Sequence, residues 1–339
     1  LTYQHQKDQL KEKYTMAVDR MKVIFQHLHG RELNPSLSET SAVAEHLSTD
    51  NFRYTVNDCI LSYNQRKFYE ENGYIVIPKL IEDNQIEKYR QRFLDVCNGK
   101  IPKGHMTLMK ESSLRKTDAK GERLYYKLQD FVWDDVLSDY IHDPKVLDYV
   151  ECFTGPNIKA MHTMLINKPP DSGKMTSIHP LHQDLHYFPF RPADRIVAAW
   201  TAMERVDEDN GCLVVIPGSH KGNLLPHDYP KWDQGVNKAF HSVEGFEDHP
   251  LISLKMEKGD TVFFHPILIH GSGVNITKGF RKAISCHYAA SECEYIDVQG
   301  TTQENIAKEI EEMARHKGRK YHYESVWKYR CRLNRGIGK

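Results

Sequence analysis

The chain has 339 residues, enough for one large domain or two small ones. Its 46 Lys and Arg balance 46 Asp and Glu, which argues against a whole-surface nucleic-acid footprint and a polybasic membrane mode. Hydrophobic residues make up 40%, so a core can form, but apolar runs such as 261–269 fall far short of the roughly 18 residues a bilayer span needs, and no stable membrane insertion is expected.

From the N-terminus, Ala17, Met21, Ile24 and Leu28 share one face of a short amphipathic helix, and Met16 is a candidate initiator. Residues 31–61 are polar, with Pro35, Ser36, Ser38, Thr40, Ser41, Ser48 and Thr49, and read as a linker. A single folded domain is expected over 62–339. Ser62 caps a helix that runs to Asn72 and stops at Gly73. Residues 74–77 form a short strand. Asp83 caps a second helix, with Ile86, Tyr89, Phe93 and Val96 at helical spacing. From about 124 to 290 the pattern becomes many short strands: 161–166, 182–188, 196–202, 212–216, 251–256, 260–264 and 283–288. This spacing suggests a sandwich or jelly roll. Thr301 and Glu304 fit a capping box for a last helix to about His316. The seven cysteines are odd in number and contain no Cys-x-x-Cys, which reads as a reducing interior.

Nineteen histidines invite a search for metal ligands. In His182-Gln183-Asp184, residues i and i+2 of a strand would project an imidazole and a carboxylate from one face. Gly259-Asp260 turns into an apolar segment that delivers His270 just before Gly271-Ser272-Gly273, and Arg281 follows. Two imidazoles and a carboxylate leave three positions of an octahedral metal open, the ligand set of non-haem Fe(II) oxygenases. An Arg can clamp a carboxylate through two parallel bonds that Lys cannot reproduce. On the residues alone, rivals stand open. His186 competes as Asp184's partner and His265 competes with His270. Arg281 also reads as a surface ion-pair residue, Ser272 as a turn residue, Lys127 as solvated, and Met164 and Trp200 as core.

The order His-x-Asp, His, Arg resembles the Fe(II)/2-oxoglutarate-dependent dioxygenases. The stretches 149–157, 161–173, 179–190 and 259–266 narrow the resemblance to their phytanoyl-CoA 2-hydroxylase branch, over roughly residues 50–339. It implies a double-stranded β-helix: a mainly β, cupin-like jelly roll with flanking helices. It implies Fe(II) on His182, Asp184 and His270, which are then the catalytic residues. It implies 2-oxoglutarate held by Arg281 and Ser272, with Lys127, Met164, Gln183 and Trp200 as further contacts; the Gln183 side chain should face away. O2 is the oxidant and ascorbate the reductant. The implied substrate is a branched-chain acyl-CoA, hydroxylated at C2 in fatty-acid α-oxidation, and Lys168, Lys174 and Arg191 are candidates to meet its CoA phosphates. Residues 20–28, from Arg20 to Leu28, resemble a nonapeptide signal read by a peroxisomal import receptor, so residues 1–30 would be a presequence and the location the peroxisomal matrix. Other readings are a sister hydroxylase with another small substrate, a cupin-like metal-binding module without turnover, and an acyl-CoA carrier.

Overall fold

Ser62 caps the first helix: its hydroxyl accepts the Gln65 N–H, and the Gln65 amide oxygen accepts the Ser62 N–H in return. The helix stops at Gly73, whose φ of +81° suits glycine. The structure, a computed structural model, describes residues 51–110, 119–171, 173, 177–230, 240–246, 248–316, 318 and 322–338. The expected presequence, 1–30, and the Arg20–Leu28 segment lie outside the described residues.

The helices are α1 (Tyr63–Asn72), α2 (Asp83–Cys97), α3 (Asp139–His142), α4 (Pro144–Thr154), α5 (Glu304–His316) and α6 (Tyr323–Arg330). The strands are β1 (Tyr74–Ile77), β2 (Thr107–Lys110), β3 (Tyr125–Gln129), β4 (Ile158–Lys168), β5 (His179–His182), β6 (Phe190–Arg191), β7 (Ile196–Ala202), β8 (Leu213–Val215), β9 (Ile252–Leu254), β10 (Thr261–Phe264), β11 (His270–Ser272), β12 (Arg281–Ala290), β13 (Glu294–Tyr295) and β14 (Arg332–Arg335). The larger sheet runs β1-β10-β7-β12-β4-β3-β2, with β14 also on β4; the smaller runs β5-β11-β8-β9. Their ladders are antiparallel. Two such sheets with helices around them make the jelly roll that the strand spacing and the resemblance imply.

Two apolar clusters hold this frame. One packs Phe93, Tyr140, Phe153, Phe263 and Tyr288 between the first four helices and the larger sheet; the Phe153 and Phe263 rings stack 5.8 Å apart. The other packs Phe188, Phe190 and Trp327, joining the segment after β5 to α5 and α6. Each such side chain, fully buried, contributes about 1.5–3 kcal/mol. Among the described residues no helix is long and apolar enough to cross a membrane, and the seven cysteines are free thiols.

Several expectations need correction. Residues 52–61, assigned above to a linker, are packed. The Glu70 carboxylate accepts the N–H groups of Arg53, Tyr54 and Thr55 and the Thr55 hydroxyl, which pins the segment and lets Tyr54 and Leu61 be buried. The α2 cap is Glu82, not Asp83. At Thr301 a tight turn replaces the expected capping box: the Thr301 hydroxyl accepts the Gln303 N–H and donates to the Val298 carbonyl, and the helix opens only at Glu304. The expected strand 182–188 ends at His182, and a 3₁₀ turn, Asp184–Tyr187, follows. The Leu185 N–H is drawn to the Pro266 carbonyl, and the Phe188 N–H to that of Leu185, in place of a ladder.

Candidate functional site

β5 and β11 are neighbours, and their register sets His182 opposite His270, with ring centroids 4.3 Å apart. Each ring is fixed by the same local device. Nδ1 of His182 lies 2.9 Å from the Pro180 carbonyl, and Nδ1 of His270 lies 2.9 Å from that of Leu268. A carbonyl only accepts, so Nδ1 carries the proton and Nε2 keeps its lone pair. Asp184 opens the 3₁₀ turn and joins them, its Oδ1 3.2 Å from His182 Nε2 and its Oδ2 3.6 Å from His270 Nε2. The three donors lie within 4.8 Å of one another and are buried. Gly271 is required by this pairing, since a Cβ there would stand 2.7 Å from the His179 carbonyl oxygen of β5.

Burial by itself would raise the Asp184 carboxyl. The imidazoles of His270, His287 and His182 outweigh it and hold the group well below the usual carboxylate range. Burial pushes His270 down to about 4. Near neutrality the site is therefore an ionised carboxylate with a neutral His270, a donor set suited to a ferrous ion. His287 also supports it directly, its Nε2 2.7 Å from Asp184 Oδ2.

The facing sheet supplies an anion-binding end. Arg281 opens β12 and is 2% exposed. Its Nη2 donates to the Gly211 carbonyl at 2.7 Å, and its guanidinium lies 5.4 Å from the Trp200 ring centroid. Its Nε and Nη1 have no partner. Buried donors left unpaired are costly, so this arrangement calls for an acceptor on a ligand. Gly211 lets the contact form: φ is +77°, and a Cβ would meet the Gly273 carbonyl oxygen at 2.5 Å. Arg281, Ser272, Trp200, Met164 and Lys127 line one cavity of about 350 Å³ together with His182, Asp184 and His287. Burial pushes the Lys127 amine down to about 8, against the pull of Asp184, and its Nζ lies 5.0 Å from the Phe240 ring centroid.

A model of the phytanoyl-CoA dioxygenase family matches residues 69–283. The chain is 53% identical over 338 residues to the peroxisomal phytanoyl-CoA dioxygenase of Rattus norvegicus, covering 95% of this chain and 98% of that protein. It is 52% identical over 332 residues to the one from Homo sapiens, covering 94% and 97%. The chain belongs to the phytanoyl-CoA dioxygenase family. Among solved structures, EctD from S. alaskensis with bound Fe is similar at a TM-score of 0.55 and 17% identity, over 74% of this chain and 84% of that one; this likeness shows the fold.

Within this family member, Gln183 lies apart from the cavity its neighbours line. Its side-chain amide donates to the Asn223 and Ile267 carbonyls and accepts the Leu225 N–H, while its own N–H goes to His227 Nε2. The side chain thus faces away, as expected of a residue between two ligands, but the backbone N–H is already engaged. The rival ligands are accounted for elsewhere. His186 Nε2 meets His241 Nδ1 at 2.8 Å, and His265 Nδ1 accepts the Ile267 N–H. Two CoA candidates fail. Lys168 is buried with its ammonium on the Ser177 and Gly273 carbonyls, and Arg191 is taken up by Gln303 and two backbone carbonyls. Lys174 lies outside the described residues.

Three contributors escaped the sequence reading. His287 shares a strand face with Arg281, six residues on, and that even spacing was a readable signal. Gln303 and Glu309 carry no such signal, because both act through contacts more than 60 residues distant in sequence.

Proposed function

We propose that this chain is a peroxisomal phytanoyl-CoA 2-hydroxylase, which uses Fe(II), 2-oxoglutarate and O2 to hydroxylate C2 of 3-methyl-branched acyl-CoAs, releasing 2-hydroxyacyl-CoA, succinate and CO2. One observation carries the reading: a two-imidazole, one-carboxylate donor set, His182, Asp184 and His270, opens through His182 and Asp184 onto the cavity that is also lined by a buried guanidinium with two unpartnered nitrogens. His182, Asp184 and His270 would hold the ferrous ion, which when bound supplies O2 activation and the oxidative decarboxylation of the cosubstrate.

The chain's own residues supply position. Arg281, with Ser272 beside it in the cavity, takes the distal carboxylate of 2-oxoglutarate; its fork accepts one orientation, which aims the 2-oxo acid end at the donors. Lys127 adds positive charge, and Trp200 and Met164 close the walls and exclude water. Gln183 acts at one remove, by tying the turn that bears Asp184 to two loops. Ascorbate keeps the iron ferrous. Arg20–Leu28 brings the chain to the matrix through an import receptor, a reading supported by relatives that are named peroxisomal.

The test is reconstitution with Fe(II) and 2-oxoglutarate without oxygen, then O2 with phytanoyl-CoA. Mass spectrometry should find succinate and 2-hydroxyphytanoyl-CoA in equal amounts. Succinate without hydroxylated acyl-CoA would point to a sister hydroxylase, and neither product to a module without turnover.

A further inference from the structure

The cavity continues past the metal donors onto α5. Ile306, Ile310 and Met313 recur at i, i+4 and i+7 and all line it. Ile306 is 6% exposed, Ile310 is half-buried and Met313 is 48% exposed, so one apolar stripe leads from the interior to solvent. Phe188 and Trp327 line the same stretch, edge to face at 5.5 Å, and Phe188 sits 4.7 Å from His287, the partner of Asp184.

The stripe is held in register with the donors. Gln303, fully buried just before α5, donates its amide to the carbonyls of Leu185, His186 and Phe188. Its oxygen accepts from Arg191. Further along α5, Glu309 meets His241, which meets His186 of the same turn. The helix is therefore fastened at two points to the segment that carries Asp184.

We propose that this stripe is the alkyl-chain subsite, with the acyl tail lying along Ile306, Ile310 and Met313, which set the preference for chain length. The inference rests on the acyl-CoA reading above. A substrate hydroxylated at C2 must bring that carbon to the metal donors, and its tail must then follow an apolar path outward. The opposite end of the cavity is occupied by Arg281, Ser272 and Lys127, whose polar groups a hydrocarbon would strand. The α5 stripe itself is apolar and open at its far end; the two charged residues that line the same stretch, Glu309 and Arg330, are paired with His241 and Asp130.

The experiment compares the full chain with Ile310→Trp, Met313→Glu and the outward-facing Glu312→Gln on phytanoyl-CoA and on 3-methylbutanoyl-CoA, whose tail is too short to reach α5's outer turn. Ile310→Trp should raise KM for phytanoyl-CoA at least ten-fold and change that for 3-methylbutanoyl-CoA less than two-fold. Met313→Glu, at an exposed site where folding is not at stake, should weaken phytanoyl-CoA alone, and Glu312→Gln should follow the unaltered chain. Tryptophan-fluorescence titration of iron-free protein with phytanoyl-CoA should give the same ranking without turnover. Profiles for Ile310→Trp and Met313→Glu that coincide with the unaltered chain would overturn the subsite while leaving the hydroxylase reading intact. Failure of the unaltered chain to hydroxylate either acyl-CoA would instead overturn that reading, and the subsite with it.

Discussion

At one end of the cavity, Arg281, Trp200, Met164 and Lys127 project from strands paired on both sides within the larger sheet. At the other end, Ile306, Ile310 and Met313 project from a helix fastened by a few side chains, Gln303 and Glu309 foremost. A ladder position is fixed by the register of its neighbours, and the Arg281 guanidinium that starts from one is then held by the Gly211 carbonyl and the Trp200 ring. A helix stripe offers area without direction. The first construction suits a ligand of one shape and charge; the second suits a hydrocarbon, which asks only for apolar surface. Substitutions at the strand end should therefore act on every substrate alike, and those at the helix end on long chains selectively.

The sharpest way to break this contrast is Arg281→Lys. Losing charge-assisted bonds worth roughly 1.5–3 kcal/mol each should raise KM for 2-oxoglutarate on the order of 100-fold, equally with every acyl-CoA. Steady-state kinetics with two acyl-CoAs would check it; an effect confined to one of them would erase the difference between the ends.

A smaller loss is expected at His287. His287→Phe keeps an aromatic ring but removes the donor to Asp184, and metal affinity should fall by roughly 10–100-fold. Competition with a chelator would measure it, and an unchanged affinity would remove His287 from the support of the site.

Lys127 gives the mildest test. Its pKa is lowered to about 8, so the amine is charged below that pH and neutral above it. The cation is what attracts the cosubstrate, so KM for 2-oxoglutarate should rise from pH 7 to pH 9, by at most about ten-fold as the charged fraction falls. Lys127→Met should flatten the profile; an equally steep profile in that variant would assign the titration to another group.

The donor set was legible in the sequence because it rests on a short motif and a downstream His at a glycine-rich turn. The reason given by strand periodicity was wrong: Asp184 reaches the donors from a 3₁₀ turn, drawn there by the Pro266 carbonyl. Helix and strand positions such as α1, β1 and β7 followed from caps and apolar runs, which are local. Lys168 misled because a basic residue in sequence says nothing of two carbonyls waiting to bury its ammonium. The fastening of α5 by Gln303 was illegible for the same reason, being a contact across more than 110 residues.

The most direct measurement is anaerobic titration of Fe(II) into the full chain and into Asp184→Asn, a substitution that keeps the shape of the side chain and removes its charge. The expected result is one ferrous ion per unaltered chain, with affinity lower by more than about 100-fold in Asp184→Asn and an unchanged circular dichroism spectrum. Equal stoichiometry and equal affinity in the two proteins would contradict a metal centre built on His182, Asp184 and His270.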